Sequence, residues 1–186
     1  MTDTISPSAV TDFWRAAGRP AWFRSDAELD KTIRTRFEAT HLAASRREYE
    51  YWGATADGAL ALVLLFDQFP RHIYRGSPHA FATDPLAREV VDRAITDGFD
   101  LAFGKSLQPF FYLPFEHHED PRSQARAVEL FVGYAERSGD TDYLRFARMH
   151  AELIARFGRF PHRNPLLGRT STPEELEYLA SGGFSG

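Results

Sequence analysis

The sequence predicts an all-α fold, and three observations carry that reading. Ser/Thr/Asp-Pro pairs stand where helices would start, apolar residues recur at helical spacing, and no strictly alternating run is long enough to argue a sheet. At 186 residues the chain is expected to be a single domain, with its core over about residues 6–180 and short flexible termini.

The first helix is expected over 7–17, opened by Ser6-Pro7 and closed by Gly18. A capping Ser, Thr or Asp offers an oxygen to free N–H groups, and proline at the next position lacks an N–H that would have had no partner. Ser25-Asp-Ala-Glu28 fits a capping box and opens a second helix over 26–47. A third, over 54–69, holds the longest apolar run, Ala59–Phe66. Asp84-Pro85 opens the fourth, over 85–97, with Val90, Val91, Ala94 and Ile95 on one face and Gly98 beyond it. Asp120-Pro121 opens the fifth, over 121–138, striped by Ala125, Val128, Val132 and Ala135. The sixth, over 140–158, is striped by Tyr143, Ala147, His150, Ile154 and Phe157, and ends at Gly158. Only Gly139 and its neighbours separate these two helices, so they are expected to pack antiparallel. Thr172-Pro-Glu-Glu175 is a second capping box and opens the last helix, over 173–180.

Composition excludes several classes. The net charge of −4 speaks against a general nucleic-acid binder, which needs a broad basic surface. There are no cysteines, so disulfides and thiolate metal sites are ruled out. Ala59–Phe66 is far shorter than the roughly 20 residues that span a bilayer, and MTDTISPSAV has no signal-peptide pattern. The expected setting is cytoplasmic, without membrane or nucleic acid. Among 22 basic residues only Lys31 and Lys105 are lysine, a bias that coding composition explains.

The longest expected non-helical stretches are 70–83 and 98–120, and such loops tend to be functional or mobile. The segment FDQFPRHIYRG, residues 66–76, puts Asp67 and Gln68 directly after the apolar run. Pro70 cannot donate to the Phe66 carbonyl, so the helix must end or kink there. Asp67 and Gln68 then either satisfy the helix end, with Asp67 pairing to Arg71, or line a pocket beneath the kink. The segment PFFYLPFEHHED, residues 109–120, gathers Glu116, His117, His118, Glu119 and Asp120, a set suited to acid–base work or to metal binding. Its spacing is not a zinc signature, so no metal is assigned and the cofactor is left unknown. Asp120 reads as a helix cap. The segment RFGRFPHRNPLLGR, residues 156–169, sits in an arginine-rich stretch over 145–169 of local charge +5. Those arginines either hold an anion or neutralise acids of the first two segments. His150 lies on an apolar stripe and reads as a core histidine with a partner.

These motifs, LLFDQFPRHIYRG, AFATDPLA, YLPFEHHEDPRSQ and RFGRFPHRNPLLGRTSTPEELEYL, resemble a family of bacterial proteins catalogued as domain of unknown function 924. The likeness runs from Trp22-Phe23 to Leu179. It implies an all-α array of antiparallel helical hairpins, similar to tetratricopeptide-like superhelices, and no established activity. It places polar motif positions at Asp67, Gln68, Arg71, Arg75, Glu116, His117, Glu119, Gln124, Arg159, His162, Arg163 and Asn164. His72 and His118 depart from the pattern, where the family resembles Asn and Ser.

Two functions of different class are expected from this. In the first, the three segments form a cleft for a small polar or anionic ligand, with His117, Glu116 or Asp67 carrying a proton in a hydrolytic or acid–base step and the remaining positions holding the ligand. In the second, the motifs are a structural ion-pair network, and the protein binds a protein partner or a second copy of itself along an exposed face.

Overall fold

A computed structural model of the chain describes residues 5–185. Among the described residues every regular element is helical and no strand occurs, and no helix is long and apolar enough to cross a membrane. The chain divides after Pro114 into two compact units.

The first unit holds α1 (Pro7–Ala17), the short α2 (Arg19–Trp22), α3 (Ala27–Ser45), α4 (Ala56–Val63), α5 (Phe69–Ile73) and α6 (Asp84–Thr96). Ser6 caps α1 as expected, accepting from the Ala9 N–H. α3 is capped by Asp26 rather than Ser25, because the longer carboxylate accepts from both Glu28 and Leu29 N–H, at 3.0 and 3.1 Å. The core is aromatic. Trp14, Phe37, Phe69 and Phe110 are fully buried, and Phe69 lies 4.9 Å from Phe37 and 5.5 Å from Trp14. Thr11 ties α1 to α4 through a 2.8 Å bond to Asp57.

α3 ends in a Schellman motif. The Glu48 N–H reaches the Ala43 carbonyl at 3.2 Å and the Arg47 N–H reaches Ala44 at 2.8 Å. The left-handed residue of this motif is usually glycine. Here it is Arg47, at φ 65°, the sole non-glycine residue with positive φ among those described. That conformation costs an arginine about 1 kcal/mol relative to glycine. The exposed guanidinium pairs with both Glu50 and Glu89, and surface pairs of this kind contribute little to stability.

The greasy third helix behaves as its proline requires, with an added turn. Between α4 and α5 lies one π-helical turn, Leu64–Gln68, in which the Phe69 N–H bonds to the Leu64 carbonyl. Carbonyls freed there find side-chain donors. His41 Nδ1 bonds to Leu65 O at 2.8 Å, and the Thr83 hydroxyl donates at 2.7 Å to Phe66 O, the oxygen Pro70 cannot serve. Arg71 donates to the Asp67 carbonyl. The same guanidinium grips Asp84 at 3.0 and 3.1 Å and stands 3.3 Å from the Asp67 carboxylate. Asp84 therefore serves Arg71 instead of capping its helix, and Thr83, at the cap position, makes no side-chain cap bond. The expected loops at 70–83 and 98–120 are largely short helical turns: the end of α5, Pro78–Phe81, Phe99–Ala102, Gln108–Phe111 and α7 (Leu113–Glu116). Prolines and aromatics pin them as single turns too short to show a period.

The second unit holds α8 (Pro121–Ser138), α9 (Asp142–Phe157) and α10 (Pro173–Ala180). Asp120 caps α8 through the Ser123 N–H, and Thr172 and Glu175 complete the expected capping box of α10. α8 and α9 form a hairpin about Gly139, with Phe131 stacked on Tyr143 at 5.6 Å. The buried stripe of α8 is Gln124, Ala127, Phe131 and Tyr134, not the expected Ala125-based one. The two stripes have the same period and differ by one residue. The large rings of Phe131 and Tyr134 bury more area than two valines and decide the rotation. The α9 stripe of Tyr143, Ala147, His150 and Ile154 is buried as expected.

Candidate functional site

The rotation of α9 points His150 inward, and the end of α7 presents Glu116. Their side chains meet: His150 Nδ1 lies 2.6 Å from Glu116 Oε1, and the two residues are 7% and 3% exposed. An ionised carboxylate can only accept, so in that form Glu116 takes its bond from Nδ1–H and leaves Nε2 as the ring's other nitrogen. The second carboxylate oxygen, Oε2, is buried and has no hydrogen-bond partner.

His162, on the turn Pro161–Arg163, stands against the same aromatic pair as His150. Phe160 lies 5.2 Å from the His150 ring and 5.7 Å from His162, and Phe184 lies 4.7 and 5.2 Å from them. His162 Nδ1 is buried without a hydrogen-bond partner. Burial, helped by the Arg163 charge, pulls its pKa down to about 4, so the ring is neutral at pH 7.

Around this cluster the other polar motif residues bond to one another or to backbone, with Gln124 Oε1, Asn164 Oδ1 and Arg169 Nε also buried without a hydrogen-bond partner. Arg169 forks onto Glu119 at 2.5 and 2.9 Å, and Glu119 also accepts from the Phe160 N–H. Burial would raise the Glu119 pKa, but the Arg169 fork and that N–H hold it low. Arg159 forks onto Glu175 at 2.6 and 2.8 Å, and Glu175 accepts further bonds from Thr172 N and Asn164 Nδ2. The Arg159 fork outweighs burial and holds Glu175 down to about 2. Arg163 donates to the His117 carbonyl at 3.0 Å. The Gln124 amide donates to the carbonyls of Glu116 and His118 at 2.7 Å each, which fixes the turn that carries Glu116.

The structure thus sorts the sequence-derived positions. Asp67, Gln68, Arg71 and Arg75 belong to the first unit, where the first three surround the π turn and Arg75 forks onto Asp30. Glu116, His117, Glu119, Gln124, Arg159, His162, Arg163 and Asn164 belong to the second. The imidazole on Glu116 Oε1 comes from His150, 34 residues away in the chain. Sequence reasoning read His150 only as a partnered core residue. Its place on the inward stripe was the available signal. Among the described residues no three His, Asp or Glu side chains gather as a cation cage.

The family of bacterial proteins of unknown function DUF924 matches residues 10–183. This chain belongs to the DUF924 family. No curated protein matches it. A solved structure of a protein of unknown function from Agrobacterium tumefaciens is similar, at 47% identity and a TM-score of 0.89, covering 95% of this chain and 97% of that one. The match to DUF924 runs from α1 to the tail beyond α10, so it takes in both the π turn and the Glu116–His150 pair.

Proposed function

We propose that this DUF924 protein binds a small polar or anionic ligand in its second unit and moves a proton on it, in a hydrolytic or related acid–base step in the cytoplasm. His150 is the proton carrier. Glu116 orients it and stabilises its charged form, as a carboxylate does for any imidazole base. The supporting observation is a concentration of buried polar atoms without a hydrogen-bond partner in this unit: Glu116 Oε2 and His162 Nδ1, and with them Gln124 Oε1, Asn164 Oδ1 and Arg169 Nε. Buried polar atoms are nearly always satisfied, and a ligand or water would satisfy these. In this reading Glu119, Arg159, Asn164, Arg169 and Glu175 are the frame.

A thermal-shift screen with organic acids and phosphate esters tests this on three chains. The wild-type protein is expected to gain melting temperature with a ligand that His150→Gln and His162→Gln both fail to respond to. An undiminished shift in both variants would place the site elsewhere.

The closed forks Arg159–Glu175 and Arg169–Glu119 favour a second reading. There the motifs are purely structural, and the α8–α9 hairpin belongs to a tetratricopeptide-like array that binds a protein partner or a second copy. That reading requires His150→Gln to lose as much stability as a frame variant, with no ligand response in any chain.

A further inference from the structure

The first unit contains a cavity of about 260 Å³ that no motif of the sequence marked. It lies between α4, α6 and the turn Glu50–Ala54, with Leu62, Phe66 and Val90 among its apolar walls. Phe66 belongs to the π turn, so the widened backbone there shapes the cavity wall. At about 260 Å³ it falls just below the roughly 300–1,000 Å³ of pockets for drug-sized ligands, which limits it to a smaller molecule.

Its rim is a closed ring of alternating charge. Arg47 bonds to Glu89 at 2.7 Å and to Glu50 at 3.2 Å. Arg93 bonds to Glu89 at 2.8 Å and stands 3.7 Å from Glu50. Each cation therefore touches both anions, and the ring is neutral. Arg47 is also the residue that occupies a glycine position at φ 65°. The guanidinium is thus held against the cavity on a left-handed backbone that arginine rarely adopts.

We propose that this cavity binds a free apolar α-amino acid. The carboxylate takes the guanidinium forks of Arg47 and Arg93, and the ammonium takes Glu50 and Glu89. The side chain fills the space against Leu62, Phe66 and Val90. The four charges are paired with one another, so a ligand must exchange those pairs: a zwitterion replaces each broken ion pair by an equivalent one, whereas an ion of single sign opens the ring and leaves charges of its own sign without a partner. The apolar walls reject a polar side chain, whose groups would find no partner there. This site is separate from the Glu116–His150 pair and stands whether or not that proposal does.

Calorimetric titration with L-leucine and L-phenylalanine tests it. Both are expected to bind, and leucinamide and N-acetyl-leucine, each missing one charge, to bind roughly tenfold or more weakly. Arg47→Gly is expected to lose binding by a similar factor while its melting temperature stays level or rises. Val90→Phe fills the cavity and is expected to abolish binding. The proposal is overturned if neither amino acid binds at millimolar concentration, if leucinamide binds as well as leucine, or if Arg47→Gly binds normally.

Discussion

Gly58 stands in the first turn of α4, where helix propensity favours alanine. A Cβ there would lie 2.1 Å from the Trp52 carbonyl oxygen, a backbone atom that cannot swing aside. Gly58→Ala is therefore expected to destabilise the protein by about 1–3 kcal/mol, the cost of forcing a packed backbone apart. Urea unfolding checks the sign, and a stabilised variant would mean that the turn before α4 yields. His162 gives a second reading at this scale. Its ring is expected to titrate near pH 4 by NMR, well below the usual 6.5, because it is buried beside Arg163. Phe184→Ala uncovers one side of the ring and should move that titration upward.

At the scale of elements, the π turn depends on donors from outside its own helix. Thr83→Val keeps the side-chain shape and removes the hydroxyl that donates to Phe66 O. A buried carbonyl left without a donor costs about 1–3 kcal/mol, and that loss is expected in chemical denaturation. The start of α10 depends on a carboxylate in the same way. Glu175 closes the capping box, takes the Arg159 fork and holds Asn164. Glu175→Ala breaks a buried pair and the cap together. About 3 kcal/mol or more of lost stability follows, a fall in melting temperature of roughly 6–12 °C. His150→Gln should fall much less if His150 serves a ligand, so the two melting curves separate frame from site.

For the whole molecule, His162 and Glu175 lead the loss of stability in acid, joined by the buried His41 and His72, whose pKa values burial lowers, and by Asp30 and Glu119, which, against burial, their ion pairs hold low. The folded pKa of His162, about 4, is below its unfolded value of 6.5, so the unfolded chain binds a proton that the folded one refuses. Stability from this group is intact above pH 6.5 and falls as the pH drops toward 4, by no more than about 3 kcal/mol. Glu175, held down to about 2 against 4.5 by the Arg159 fork, adds a second loss between pH 4.5 and 2. A denaturation series from pH 8 to 2 should show both limbs, and His162→Asn should shrink the upper one, to which His41 and His72 also contribute, while leaving the lower one unchanged.

Much of this architecture is legible in the chain because its causes are local. Ser6, Asp120 and Thr172 cap the helices they precede, since a cap needs only a side-chain oxygen and the next few N–H groups. Gly139 and Gly158 are left-handed where the helices stop. Pro70 withholds its N–H from Phe66 wherever the rest of the chain goes. Several features are not local. The same helical period allows two stripes on α8, and the neighbouring aromatics chose between them. Asp84 reads as a cap until Arg71 claims it across 13 residues. Glu116 stands beside His117 and His118 in the sequence, yet the hairpin brings His150 to it from 34 residues away. The ring of Arg47, Glu50, Glu89 and Arg93 spans two distant stretches with no motif in either. By itself the sequence determined helix starts, helix stops and the break at Pro70, which depend on hydrogen bonds within a few residues. Tertiary structure alone decided which polar groups face each other, because a side-chain pair forms only where packing brings two remote backbones within a few ångströms.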